Sequence, residues 1–237
     1  MLSLVYDHAK RHRCVRGFRM LTLGWSDGVT FMPVNSCLMS NENEKTRINP
    51  AAEVPEHSNG AKRRKLAQQK MTEVVPELIE SAQEAGIAAD YVLFDSWFAF
   101  PSEIATVHNL GLDVVAMVKR SSRIHYLYNS QKLSCKEIYA RNKKRRGRSR
   151  YLLSVPITVC TEGKDRQEIQ IAAKLVYVRN RNNRKEYLVL LTTDTKLSED
   201  EVIQLYCRRW DIEVFFKTCK SLLWLTKECR SISYDAM

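Results

Sequence analysis

The chain has 237 residues, with 38 Lys and Arg against 27 Asp and Glu, 44% hydrophobic residues and 9% aromatics. That length suits one large domain or two small ones with a real core, and the apolar content excludes wholesale disorder. No apolar run approaches the ~20 residues of a bilayer-spanning helix, and the N-terminus carries no secretory pattern. The seven Cys form no CxxC pair, which leaves neither a zinc site nor a disulfide framework. A reduced cytoplasmic protein with no membrane partner is expected. The net charge of +11 is not spread evenly. Residues 119–150 hold twelve Lys and Arg and one acid, Glu137, so the rest of the chain is balanced. Such a block repels itself unless a polyanion sits on it, and it points to nucleic acid.

Residues 2–12 read as the end of a helix, with Leu2, Val5 and Tyr6 on one face. Two strands at 18–24 and 29–38 flank the hairpin turn Trp25-Ser26-Asp27-Gly28. A polar loop covers 40–60, and a helix from 61 to 85 is expected to break or kink near Pro76, which cannot donate an N–H. Tyr91-Val92-Leu93-Phe94 is an uninterrupted apolar run of the kind found in a central strand buried on both faces, and it stops at Asp95. Pro101 opens a short helix, and 114–118 is another buried-type strand. Short strands follow at 151–159, 168–178 and 187–192. A capping box, Ser198-x-x-Glu201, starts a final helix read as unbroken to about Leu225. The pattern is α/β with a β-strand-rich, basic insertion over 121–185, flanked by core segments 1–120 and 186–237.

Two constellations carry chemistry. Asp95 ends a buried strand, where ligands collect in α/β sheets, so it is a candidate metal ligand as well as a turn-capping residue. On the last helix, Tyr206, Arg209, Glu213 and Lys220 fall on one stripe at 100° per residue. Beside them runs an apolar stripe of Ile203, Cys207, Trp210 and Val214. A carboxylate suits a divalent cation, and Arg, Lys and Tyr donate to phosphate oxygens. Trp97 and Trp210 are candidates for stacking on DNA bases, but both sit in apolar runs and read as core. His8 and His12 are spaced i,i+4 and read as surface residues.

Tyr206-x2-Arg209-x3-Glu213-x6-Lys220 matches the Y-R-E-K signature of bacterial insertion-sequence DDE transposases of the fourth family. The stretches 17–28, 90–101 and 209–217 also resemble those enzymes. The resemblance implies a ribonuclease-H-like core with a β-rich insertion before the last catalytic helix. It implies cut-and-paste transposition by two-metal phosphodiester hydrolysis and strand transfer, with Mg²⁺ or Mn²⁺ as cofactor. Asp95 and Glu213 would be the catalytic, metal-binding carboxylates, and Tyr206, Arg209 and Lys220 would contact phosphates at the DNA end. Lys143, Lys144, Arg145, Arg146 and Arg148 would track duplex backbone. The implied partners are double-stranded transposon ends and target DNA, with a homodimer in the DNA complex and a nucleoid-associated location.

The first Asp of such a triad lies on the fold's first strand, and the strand count leaves none for it. Asp27 reads as a turn residue, and Asp7 follows a stretch read as helix. The chain is therefore expected to be a fragment or decayed copy lacking the first strand and a C-terminal portion. Two carboxylates are too few to hold two metal ions, so DNA binding without cleavage is expected. The rival reading is a catalytically dead DNA-binding remnant. Of the aromatics in the insertion, Tyr126, Tyr128, Tyr139, Tyr151 and Tyr177, none is a Trp that would hold a flipped base.

Overall fold

The computed structural model describes residues 3–7, 13–40, 53–163, 165–180 and 186–224, with the single positions 43, 45, 47 and 183. The chain forms two compact units, Ala88–Trp210 and a second built from Met1–Ile87 with Asp211–Met237. The mixed α/β architecture agrees with the expected ribonuclease-H-like class. His8 and His12 lie outside the described residues.

In the first of these, Ala88–Trp210, a βαβ crossover sets the frame. β5 (Tyr91–Phe94) is followed by α3 (Pro101–Asn109) and returns as β6 (Asp113–Met117), parallel to β5 with Phe94 opposite Ala116. α3 starts where Pro101 occupies the first turn, whose N–H has no helical partner anyway. It ends at Gly111, whose φ of 81° is the left-handed conformation a helix stop favours. Its inner face buries Ile104, Ala105 and Val107. β6 then pairs with β11 (Tyr187–Thr192), and the sheet continues through β10 (Glu168–Arg179), β9 (Tyr151–Glu162), β7 (His125–Tyr128) and β8 (Gln131–Ser134). The segment 121–185 thus supplies four strands to the same seven-stranded sheet as β5 and β6.

β9 and β10 each run 12 residues rather than being short. Their alternation places Leu153, Val155, Ile157, Val159, Ile171, Ala173 and Leu175 in the interior. β5 corrects the central-strand reading: it is the outermost strand, paired with β6 alone, and Tyr91, Val92 and Leu93 are only half-buried. An apolar run of four cannot by itself separate an edge strand from a central one. The Tyr91 hydroxyl donates to Asp194 Oδ2 at 2.9 Å, and burial together with that carboxylate pushes the phenol up to about 12.

α4 (Cys135–Arg141) follows β8, capped by Ser134. α5 (Glu199–Arg208) begins at the expected capping box. Ser198 Oγ accepts from the Glu201 N–H at 3.3 Å, and the Glu201 carboxylate accepts from the Ser198 N–H at 2.7 Å. Its inner residue Val202 packs with Val115, Val176 and Leu190.

The second unit opens with a correction. Residues 3–7 are not helical but form β1 (Ser3–Asp7), antiparallel to β2 (Arg13–Gly17), with Asp7 opposite Arg13. Leu4-Val5-Tyr6 is a short apolar run whose β-branched and aromatic residues suit a strand as well as a helix. β3 (Arg19–Ser26) and β4 (Phe31–Met39) form the expected hairpin. Asp27 Oδ1 closes its turn by accepting from the N–H groups of Val29 and Thr30, at 2.8 and 2.7 Å. The 61–85 helix is two helices, α1 (Asn59–Ala67) and α2 (Met71–Glu84), separated at 68–70. Pro76 lies within α2, where one missing N–H is absorbed because Val74, Leu78, Ile79 and Ala82 bury one face. These helices cover the hairpin through Cys37, Met39, Ala67, Val74 and Leu78.

Candidate functional site

The final helix is interrupted. α5 ends at Arg208, and α6 (Asp211–Ser221) is a separate helix. At the break the bonds tighten to i→i−3: the Arg209 N–H reaches the Tyr206 carbonyl at 3.2 Å, and the Trp210 N–H the Cys207 carbonyl at 3.0 Å. The four signature residues therefore do not share one continuous helix. Tyr206 and Arg209 belong to unit Ala88–Trp210, while Glu213 and Lys220 belong to the other. The apolar stripe is corrected as well. Ile203 is half-buried against the sheet cluster, but Cys207 is exposed, and Trp210 and Val214 are 63% and 54% exposed. On α6 the buried residue is Cys219.

Within Ala88–Trp210, Asp95 follows β5 at the carboxyl end of the parallel β5–β6 pair. Its Oδ1 accepts from the Trp97 N–H at 2.7 Å, so the carboxylate also shapes the turn that follows the strand. The turn-capping reading of Asp95 holds, and it leaves the second carboxylate oxygen for other chemistry. Trp97 is not core: it is 64% exposed, with the Lys119 ammonium 4.4 Å from its ring centre. At the end of α5, the Arg209 guanidinium lies 5.6 Å from the Tyr206 ring and 5.8 Å from the Trp210 ring. Stacking on rings holds a guanidinium flat.

In the other unit, α6 is seated on the β3–β4 hairpin. The Ser26 hydroxyl donates to Asp211 Oδ2 at 3.1 Å, and the Phe31 and Phe215 rings are 5.6 Å apart. Gly24 makes that seating possible, because a Cβ there would lie 2.3 Å from the Phe31 ring. Along α6, Glu213, Phe216, Lys217, Lys220 and Ser221 line an open groove of about 530 Å³. Lys217 was not singled out from the sequence, although its i,i+4 spacing from Glu213 was legible. A carboxylate with two ammonium groups around one groove suits an anionic ligand that brings a cation with it.

The basic stretch 142–150 joins α4 to β9. Its nearest acid in sequence, Glu137, is committed to the α4 cap, accepting from the Ser134 hydroxyl at 2.7 Å and the Ser134 N–H at 2.8 Å. Those bonds hold the Glu137 carboxyl below its ordinary range, so it stays anionic but faces its own helix end. Lys143, Arg145, Arg146 and Arg148 are exposed, and Lys144 is half-buried. The Lys144 ammonium sits 4.4 Å from the Tyr139 ring and the Arg145 guanidinium 4.6 Å from the Tyr151 ring. Tyr139 in turn stacks on Tyr187 with ring centres 4.1 Å apart. The loop is thus tethered by aromatic contacts while its charges face outward.

Among the described residues, no three His, Cys, Asp or Glu side chains are gathered to hold a metal ion, and no helix is long and apolar enough to cross a membrane. A family model described as DDE superfamily endonuclease matches residues 4–184. That span includes β1, Asp95 and the basic stretch and ends before α5, so the Tyr206–Lys220 signature is an observation independent of the match. Among curated proteins none matches.

Proposed function

This chain belongs to the DDE superfamily endonucleases, and from that premise we propose that it is the catalytic domain of an insertion-sequence transposase of the Y-R-E-K type. The family is a nuclease or transposase family, it implies DNA as substrate, and its nucleases typically use divalent metals. The observation that carries the finer reading is the signature Tyr206, Arg209, Glu213 and Lys220, which lies outside the matched residues. Asp95 and Glu213 are the proposed carboxylates, anionic oxygen donors of the kind that hold Mg²⁺ or Mn²⁺. Arg209 supplies paired N–H donors to a phosphate, and Lys220 and Tyr206 add single donors. Lys143, Lys144, Arg145, Arg146 and Arg148 bind duplex backbone at transposon ends and target without reading sequence. A bacterial cytoplasmic site of action and a homodimer on the DNA complete the proposal.

β1 changes one expectation. Asp7 closes a strand rather than following a helix, which removes the ground for dismissing it, and we propose it as the third carboxylate. The test is strand nicking of end-containing duplex in Mg²⁺ or Mn²⁺ buffer. Nicking by the chain and its loss in Asp7→Asn, Asp95→Asn and Glu213→Gln are expected.

The second reading is the DNA-binding remnant, favoured by the sequence motifs supplying only two carboxylates, Asp95 and Glu213. Under it the chain binds DNA without cutting it. Binding with no nicking in either metal would decide for that reading, and nicking retained in Asp7→Asn would remove Asp7 alone.

A further inference from the structure

Helix α5 covers only part of the sheet face on which it lies. Its Val202 packs with Val176 of β10. In the β9–β10 pair Ser154 lies opposite Val176 and Pro156 opposite Lys174, so these residues continue the same face. The helix starts at Glu199. Beside its first turn the uncovered face opens into a cleft of about 460 Å³, within the ~300–1,000 Å³ of small-ligand pockets. Ser154, Pro156, Lys174 and Glu199 line it, together with Arg145 and Tyr151. Two cations are fixed there. The Lys174 side chain is 13% exposed and lies 4.0 Å from the Glu199 carboxylate, an ion pair too long for a hydrogen bond. Its ammonium donates to the carbonyls of Thr195, at 3.4 Å, and Leu197, which leaves one of its three N–H groups uncommitted. Arg145 is anchored at three points. Its N–H donates to the Leu152 carbonyl at 2.7 Å, its carbonyl accepts from Arg179 at 3.2 Å, and its guanidinium lies 4.6 Å from the Tyr151 ring. Among the described residues, the Arg145 guanidinium and the hydroxyls of Ser154 and Thr195, which also lines the cleft, make no hydrogen bond.

The uncommitted groups define a ligand. A guanidinium and a spare ammonium N–H suit one phosphate. A carboxylate beside hydroxyls suits the vicinal alcohols of a ribose, which donate to it as they do in dinucleotide sites. Exposed Pro156 offers apolar surface to a ring. The surroundings disfavour a polynucleotide. Asp200 and Glu201 follow Glu199 on the first turn, and Asp200 already faces the Arg150 guanidinium at 3.9 Å. A phosphate chain running on from the cleft would meet those carboxylates, whereas a single phosphate meets Arg145 and Lys174. We propose that this cleft binds a free ribonucleoside monophosphate, with its phosphate on Arg145 and Lys174 and its ribose hydroxyls on Glu199. The site is separate from the carboxylates and signature residues of the proposed nuclease.

The experiment titrates the full chain by isothermal calorimetry with adenosine 5′-monophosphate and cytidine 5′-monophosphate as probes. Their 2′-deoxy forms, the unphosphorylated nucleosides and inorganic phosphate are the comparisons. At least one ribonucleoside monophosphate binds about tenfold or more tighter than its nucleoside or phosphate alone, the worth of a charge-assisted contact. It also binds tighter than its deoxy form. Arg145→Ala removes about tenfold of that affinity, and Glu199→Gln abolishes the ribose preference while leaving the deoxy form within about twofold. Lys196→Ala deletes an exposed cation beside Thr195 and leaves binding unchanged, which separates the cleft from general charge attraction. Circular dichroism matching that of the unmodified chain shows that each variant is folded. Binding no tighter than that of phosphate, equal affinity for ribose and deoxyribose forms, or equal weakening by Lys196→Ala and Arg145→Ala would overturn the proposal. No DNA enters these titrations, so their failure leaves the nuclease reading standing.

Discussion

Residues 142–150 and helix α6 are both rich in Lys and Arg or edged by them, yet they are built for different tasks. In 142–150 the one carboxylate partner among the described residues is Asp200, 3.9 Å from the exposed Arg150 guanidinium, and Lys143, Lys144, Arg145, Arg146 and Arg148 stay clear of it. The nearest acid in sequence, Glu137 of α4, is spent on a helix cap, and Lys144 and Arg145 lie on tyrosine faces that fix the loop without neutralising it. On α6 the carboxylate of Glu213 shares an open groove with Lys217 and Lys220, and the helix is held by Ser26 and Phe31. Uncompensated charge on a tethered loop suits adhesion to any phosphate backbone. Mixed charge on a seated helix suits one phosphate in one place. The lesson is that net charge locates binding, whereas the pairing of opposite charges locates chemistry.

The sharpest way to break this comparison is to remove the carboxylates. Asp95→Asn and Glu213→Gln should each lower strand nicking by about a thousandfold or more, the loss of several kcal/mol of phosphoryl-transfer stabilisation, with duplex affinity nearly unchanged. A parallel fall in affinity would mean that binding and chemistry are not divided between the two regions. A second test acts on the seating of α6. Gly24→Ala drives a Cβ into the Phe31 ring, and such overpacking costs about 2 kcal/mol. Denaturant unfolding should show that loss, and nicking should fall more than DNA binding does.

The smallest effect concerns the α5 cap. Ser198→Ala should cost about 1 kcal/mol at neutral pH, read by thermal or urea unfolding. It should also change the acid limb of stability. The Ser198 hydroxyl, with the Ser198 N–H, holds the Glu201 carboxyl below its ordinary range. A depressed folded-state value contributes stability that is complete above the ordinary carboxylate range and lost as pH falls through the depressed value. Ser198→Ala should therefore lose less stability on acidification than the unmodified chain. An identical acid limb in both would mean the cap is not holding the carboxylate.

Much of the fold was legible because its signals are local. The Asp27-Gly28 turn, Pro101 opening α3, the Ser198–Glu201 box and the alternation in β9 and β10 each declare themselves within a few residues. What was not legible depended on partners distant in the chain. Leu4-Val5-Tyr6 is too short to separate a strand from a helix, and its identity comes from pairing with Arg13–Gly17. Whether β5 is central or outer is decided by neighbours that the sequence does not name. The break at 209–210 carries neither Gly nor Pro, so periodicity ran the final helix straight through it and put Trp210 and Val214 in a core they do not enter. Trp97 was misread for a similar reason: the apolar run continues past Phe94, but the strand does not. The Y-R-E-K spacing was visible in the sequence as a pattern, although the regular helical stripe first inferred from it was not the way the chain folds.

The central claim is that DNA is held through the basic stretch by phosphate contacts that carry no sequence information. It is tested most directly by the salt dependence of duplex binding for the unmodified chain and for the variant with Lys143, Lys144, Arg145, Arg146 and Arg148 all changed to Ala. The account predicts a steep fall of log K with log salt for the unmodified chain, and a slope flattened by roughly 0.9 for each phosphate contact removed, equally on unrelated sequences. An unchanged slope in the variant would show the stretch to be a bystander and contradict the account.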